Sequence, residues 1–384
     1  MVLKALRTAL RTRDLTSNNP IKTIIKAGGF NCRLFFCIFE SMKISFDTSL
    51  GGMNTFKMNV KCRCLVEYDH VDELREAVSD PSLPRPLFPI GGGSNLLLTK
   101  DFPGTILHGA IKGIVRQDSG RVHVGAGVVW DEFCEWCASE GLWGPENLSY
   151  IPGEVGASAV QNIGAYGREV CELISSVECV DTHDAAVVRI PAEECGYAYR
   201  DSRFKHEWKW RYIVTGVIFK VSETPVPILD YGHVREAVIE RFGQDSIDHL
   251  SPGMIRETVT SIRKSKLPEV SELGSAGSFF RNPYVTAEHY ASIQQIALRD
   301  GLGPVPHFEV GDGLVKVPAA WMIDKCGWKG RGHGGAAVYE KQPLVIVNGS
   351  GNAAPEDVMA LAAEIQSSIK EKFGVDLERE VEYV

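Results

Sequence analysis

Residues 149–167 read SYIPGEVGASAVQNIGAYG. Small residues at 153, 156, 157, 158, 164, 165 and 167 leave long stretches of backbone bare, so that chain can lie directly against a flat partner. Gln161 and Asn162 stand among them, and each amide can donate and accept hydrogen bonds at once. A flavin ring presents such mixed edges. A glycine-rich core loop explains the small residues but not the two amides.

Upstream, residues 89–98 read PIGGGSNLLL, a glycine run between two apolar strands. Such a run turns with positive φ and brings backbone N–H groups close to a ligand, which is how a chain cradles a diphosphate without spending side-chain charge. A plain β-turn is the other reading of these residues. The run is not GxGxxG and opens no helix carrying an acidic ribose ligand, which excludes a Rossmann dinucleotide site.

The chain has 384 residues, enough for two or three domains with their own cores, and a net charge of −8 that gives no broad attraction to nucleic acid. An anionic ligand must be held by local basic groups. The ten cysteines are scattered, and no second CxxC completes a four-thiolate metal site, so no metal is expected. Cys134 and Cys137 are either a redox pair or one turn of an amphipathic helix. Residues 1–41 are basic at the start, like a transit peptide, or else a disordered tail preceding a true start at Met42. No segment is apolar for long enough to span a bilayer.

From Met42 a β-α-β pattern runs to Ile90, with strands at 60–68 and 86–90 around a helix at 70–79. Strand candidates at 105–107, 121–124, 174–182, 186–190 and 211–221 suggest an α+β region with a mostly antiparallel sheet. Helices are expected at 251–264, 286–300, 318–326 and 355–373, and strands at 335–339 and 344–348.

Taken with GGGSN, the pattern IPGxVGxxxxQNIGAYG resembles the UDP-N-acetylenolpyruvoylglucosamine reductase family, over residues 54–380. The resemblance implies an α+β protein with the two-subdomain FAD-binding fold of the vanillyl-alcohol oxidase (PCMH) type and a third α+β substrate-binding domain. The units are expected at 42–110, joined by a C-terminal strand 375–384, at 111–266 and at 267–374. Non-covalent FAD is implied, with NADPH as co-substrate. Cofactor contacts are implied at Gly91, Gly92, Gly93, Ser94, Asn95, Leu96, Pro152, Gly153, Gly156, Ala157, Ser158, Gln161, Asn162, Ile163, Gly167 and Arg263.

Three further blocks carry the chemistry that the resemblance implies. In GYAYRDS (196–202), Arg200 offers a planar fork for a carboxylate, and the family role is to hold the enolpyruvyl carboxylate and its enolate, with Tyr199 beside it. In LGSAGSFFRNP (273–283), Ser278 is the implied proton donor. Glu380 matches the assisting glutamate, with Glu378 a near alternative on the same face of the expected strand. Substrate contacts are implied at Tyr199, Tyr231, Lys266, Asn282, Lys329 and Gln342. Two departures stand out: Glu382 replaces a customary base, and the 303–308 loop lacks a tyrosine that some relatives use.

The implied reaction is NADPH-dependent reduction of a UDP-sugar enol ether in peptidoglycan precursor synthesis, by a cytoplasmic monomer without nucleic-acid or membrane partners. One alternative is an FAD-dependent oxidase of the same fold; many such enzymes attach flavin through His, and neither GGGSN nor QNIGAYG contains one. The other is a relative that only binds a nucleotide, which leaves Arg200, Ser278 and Glu380 without a reason.

Overall fold

Alternation of inward and outward side chains over Lys61–Tyr68, with Cys62 and Cys64 turned into the core, makes this segment the second strand of a mixed sheet. The computed structural model describes residues 42–118 and 120–384, so the expectations for residues 1–41 lie outside the described residues. Strand β1 (Lys43–Ser49) pairs antiparallel with β2 (Lys61–Tyr68), helix α1 (Val71–Ser79) follows, and β3 (Leu87–Ile90) and β5 (Phe102–Gly109) complete the order β1-β2-β5-β3. β5 is parallel to both neighbours. The glycine run leaves β3 and leads to the short β4 (Leu96–Leu97), whose partner is β20 (Glu382–Tyr383) at the far end of the chain.

The second sheet is wholly antiparallel, in the order β11-β10-β12-β7-β6: β6 (Ile114–Arg116), β7 (Arg121–Gly125), β10 (Ile174–Asp181), β11 (Val187–Pro191) and β12 (Tyr212–Lys220). On it packs α2 (Trp130–Ser139), with Trp130 and Phe133 both against Phe219, the latter rings stacked at 4.7 Å. Cys134 and Cys137 are buried on this helix and free, and burial pushes both thiols up, so the pair is packing rather than redox chemistry. The small residues of the opening motif form α3 (Val155–Gln161), a helix where sequence reading gave only bare backbone. A Cβ at Gly156 would lie 2.9 Å from the Ala126 Cβ, so the small residues serve close helix packing as well as a ligand. A hairpin of β8 (Gly164–Ala165) and β9 (Arg168–Glu169) follows.

Helices α4 (Val234–Phe242) and α5 (Pro252–Lys266) lie next in the chain. α5 starts as its sequence dictates, with Pro252 at the first position and the Ser251 hydroxyl accepting from Met254 N–H at 3.3 Å. The remaining chain forms the sheet β13-β19-β18-β17, from β13 (Gly274–Ser278), β17 (Gly332–His333), β18 (Ala336–Val338) and β19 (Val345–Asn348). A small second sheet holds β14 (Tyr284–Thr286), β15 (Phe308–Glu309) and β16 (Leu314–Lys316). Helices α6 (Ala287–Arg299), α7 (Ala319–Lys325) and α8 (Pro355–Phe373) accompany them. Along α8, Val358, Leu361, Ala362, Ile365, Ile369 and Phe373 are buried at helical spacing, the larger ones each contributing about 2 kcal/mol. One hydrophobic core joins Leu50, Phe56 and Ile106 of the first region with Phe279, Leu361 and Val381. The expected C-terminal strand 375–384 is mostly irregular: only Glu382–Tyr383 pairs as strand, and Arg379 makes a single bridge to Phe280.

Candidate active site

Between the first two sheets lies a cleft of two chambers. The first, about 1100 Å³ of open volume, runs from Tyr68, Gly91, Gly93, Leu96 and Gly109 to Gly156, Lys205, Lys209 and Val214. The second, about 750 Å³, is lined by Pro152, Gly153, Ser158, Ile163, Arg200, Arg263, Ser278 and Glu380. Ser94, Asn95, Glu154, Ala157 and Gln161 line both. An elongated, two-chambered space suits a dinucleotide better than a compact ligand.

The glycine run can form a cradle. Gly93 has φ +60°, and a Cβ there would lie 2.3 Å from the Met53 carbonyl oxygen, so only glycine allows this turn. Gly92 turns toward Gly153, whose Cα would stand 3.8 Å from a Cβ at 92. Bare backbone on both walls, with Lys205, Lys209 and Arg263 around it, fits a diphosphate-bearing cofactor. Arg263 is fixed by its Nε donating to the Tyr150 carbonyl at 3.0 Å, one turn before α5 ends.

In the second chamber Arg200 is held on several sides. Its Nε lies 3.2 Å from Glu380 Oε1, Nη1 donates to the Asn162 carbonyl at 3.3 Å, and Nη2 donates to the Gly164 carbonyl. The backbone carbonyl of Arg200 accepts from Arg281 Nη2 at 3.0 Å and Lys205 Nζ at 3.1 Å. Its φ of +55° is strained for a side-chain-bearing residue, a conformation that persists only where surroundings impose it. Gln161 bridges the cluster, donating to Glu380 at 3.2 Å and accepting from Lys205 at 2.8 Å. Burial pushes the Lys205 ammonium down, and the Arg281 charge adds to this.

Ser278 reaches the same chamber through a backbone irregularity. Between Ser275 and Ser278 the β13–β19 register slips, and Gly277 there has φ +70°, a bulge that re-aims the next side chain. Arg200, Ser278 and Glu380 therefore share one wall space. Glu378 does not: its side chain is 77% exposed and faces Arg281 at 3.7 Å, because the segment is not the regular strand that would put both glutamates on one face.

Some expected contacts lie elsewhere. Asn162 ends α3 in the left-handed region and is fully buried, its amide donating to Glu169 and Ala198 and accepting from Cys171, so it is committed to the fold. Gly167 packs against Ile228 and Tyr231, where a Cβ would lie 3.1 and 3.2 Å away, and lines neither chamber. Lys266 and Lys329 have exposed side chains and line neither chamber, while Gln342 shapes the turn before β19 by accepting from Val345 N–H.

Tyr199, Tyr231 and Asn282 belong to an outer wall. Asn282 Nδ2 is 3.5 Å from the Tyr199 hydroxyl, the Lys316 ammonium lies 5.0 Å from the Tyr199 ring and 5.6 Å from the Phe308 ring, and Phe308 stacks on Tyr231 at 5.6 Å. Lys316 and Phe308 went unread in the sequence, where the loop offered no tyrosine and Lys316 no motif. The charge at Glu382 is also explained: it pairs with Lys209 at 2.5 Å, so the base on this side comes from another strand connection.

Residues 62–191 match an FAD binding domain, and residues 269–384 match the C-terminal domain of UDP-N-acetylenolpyruvoylglucosamine reductase. The chain is 44% identical over 340 residues to the UDP-N-acetylenolpyruvoylglucosamine reductase of Bacteroides fragilis (strain YCH46), covering 88% of this chain and 98% of that one. It is 41% identical over 338 residues to that of Paraburkholderia xenovorans (strain LB400), covering 86% and 95%. The crystal structure of the reductase from Thermus caldophilus shares the fold, with a TM-score of 0.61 at 24% identity over 89% of this chain and 98% of that one. With similarity of that extent running through both the FAD binding and the C-terminal regions, the chain belongs to the UDP-N-acetylenolpyruvoylglucosamine reductase family.

Proposed function

We propose that this protein reduces the enolpyruvyl ether of UDP-N-acetylenolpyruvoylglucosamine to UDP-N-acetylmuramate, a step of peptidoglycan precursor synthesis, with NADPH as reductant. The observation that carries the reading is the sharing of one chamber by Arg200, Ser278 and Glu380 beside the glycine cradle. FAD, when bound, supplies relay of a hydride from NADPH to the enol ether. Gly91–Asn95 and Gly153–Ala157 would hold its diphosphate, and Gln161 and Arg263 the remainder.

Arg200 orients the substrate carboxylate and neutralises the charge that grows there as C3 is reduced, and holding such charge in a pre-formed site is the largest expected contribution to rate. Ser278 donates the proton to C2, on the substrate face of the chamber. Glu380 and Gln161 keep the guanidinium in register through their shared contacts. Tyr231 and Lys316, on the outer wall, bind the nucleotide diphosphate. The division into units 42–110 with 375–384, 111–266 and 267–374 is part of the proposal, as are a monomeric state and a cytosolic site of action; no described helix is long and apolar enough to cross a membrane. The test supplies NADPH deuterated at the transferred position in D2O, so that exchange cannot dilute the label: the product should carry one deuterium at C3 and one at C2 of the lactyl group. NADPH oxidation that consumes oxygen and leaves the sugar nucleotide unchanged would instead favour the oxidase reading.

A further inference from the structure

Glu154 is a carboxylate in an unusual place. It precedes α3, lines both chambers at their junction, and lies against the glycine run: a Cβ at Gly91 would come within 2.6 Å of its Oε2. Among the described residues its carboxylate has no hydrogen-bond or ion-pair partner. The other charged groups at this end of the cleft are engaged. Lys209 pairs with Glu382, Lys205 donates to Gln161 and the Arg200 carbonyl, and Lys112 donates to the Gly127 carbonyl. Tyr68 of β2 and Tyr212 of β12 also line the first chamber, burial pushing the Tyr68 phenol up, and His108 of β5 does not line it.

A second negative group does not fit beside a diphosphate. Two phosphate charges in a half-buried cradle repel a carboxylate and oppose its ionisation. A protonated carboxyl in the same position has an O–H to give to a phosphate oxygen. We propose that Glu154 binds the FAD diphosphate as a neutral, proton-carrying donor, so that holding the cofactor requires one extra proton. Burial already pushes this carboxyl up to about 7, against the pull of Lys112, before any phosphate is present. The inference rests on the FAD reading above and adds a cofactor contact whose strength depends on pH.

The linkage has a definite sign. Above the free group's pKa, binding must take up a proton, and the FAD dissociation constant rises by up to about tenfold per pH unit. Burial pushes His108 down, away from the rise expected above pH 7, and its side chain does not line the first chamber. The test dilutes full-length holoprotein at about pH 6, 7 and 8.5 and measures FAD fluorescence in the ultrafiltrate, with circular dichroism confirming the fold at each pH. The expected dissociation constant is flat from pH 6 to 7 and rises roughly ten- to thirtyfold by pH 8.5. Glu154→Gln, which keeps a donor but cannot ionise, should bind with little change over the whole range. A wild-type constant independent of pH, or the same slope in Glu154→Gln, overturns the proposal. So does affinity that rises with pH, the sign of an ionised carboxylate accepting from a sugar hydroxyl. Wild-type protein that retains no FAD at any of these pH values would instead sink the cofactor reading itself.

Discussion

Replacing Ser278 by alanine separates chemistry from stability. The hydroxyl has no hydrogen-bond partner among the described residues, and the strand pairing of Ser278 with Val345 is made by backbone alone. Removing it leaves no buried polar group unpaired and no cavity, so unfolding free energy should move by less than about 0.5 kcal/mol. The proton proposed to come from it is another matter: a positioned acid is typically worth about 10²–10⁴ in rate, or roughly 3–5 kcal/mol of barrier. The assay is anaerobic stopped-flow absorbance of the flavin band in two separate mixings. Reduction by NADPH needs no proton on the sugar and should keep its wild-type rate, whereas reoxidation by the enolpyruvyl substrate should slow by that factor. Equal slowing of both halves, or none in the second, would refute the assignment of Ser278 as donor.

Arg200→Lys keeps the charge but cannot reach Glu380 and the carbonyls of Asn162 and Gly164 together; kcat should fall about a hundredfold and stability by about 1–3 kcal/mol, and retained kcat would show that charge alone suffices. Tyr231→Ala removes the stack on Phe308, worth about 1 kcal/mol, so KM for the sugar nucleotide should rise roughly fivefold while flavin reduction by NADPH is unchanged; an unaltered KM would remove Tyr231 from the substrate wall. On the second sheet, hydrogen bonds from His123 and Arg189 hold the Glu178 carboxyl down to about 2, from an ordinary value of 4.5. A lowered folded-state pKa gives stability that is full above 4.5 and lost as pH falls toward 2. Glu178→Gln should therefore cost about 1–2 kcal/mol in urea unfolding at neutral pH and flatten the acid limb, and an acid limb identical to wild type would contradict this.

Four strands of the second sheet, the C-terminal strands β18 and β19 and helices α5 to α8 were legible because their periodicity is regular: α8 was bounded to the residue by Pro355 and the turn at Gly374, whereas two- and three-residue strands such as β6, β15 and β17 are too short to show any. Strand β13 was not, because Gly-Ser-Ala-Gly-Ser has no alternation to read and its purpose lies in the bulge at Gly277. Helix α3 was hidden for a related reason, its seven residues too short for a helical period and too small to signal burial. At the site, motifs named Arg200, Ser278 and Glu380, and the fold lines one chamber with all three. Asn162 was read as a cofactor contact because sequence shows an amide's chemistry but not its direction, and this amide turns inward to Glu169, Ala198 and Cys171. Glu154 stands at the variable position of IPGxVG, and Lys205 and Lys316 carried no reading of their own; only the folded arrangement brings them beside Gly91, Gln161 and Tyr199. Glu378 and Glu380 could be told apart only once the chain was seen to leave strand geometry before β20.

The most direct test of the central claim, that one chamber relays two hydrogens onto adjacent carbons of an enol ether, is an anaerobic titration of the purified yellow holoprotein. One equivalent of NADPH should bleach the flavin band, and one equivalent of UDP-N-acetylenolpyruvoylglucosamine should then restore it without oxygen. A band that stays bleached until air is admitted would contradict the account.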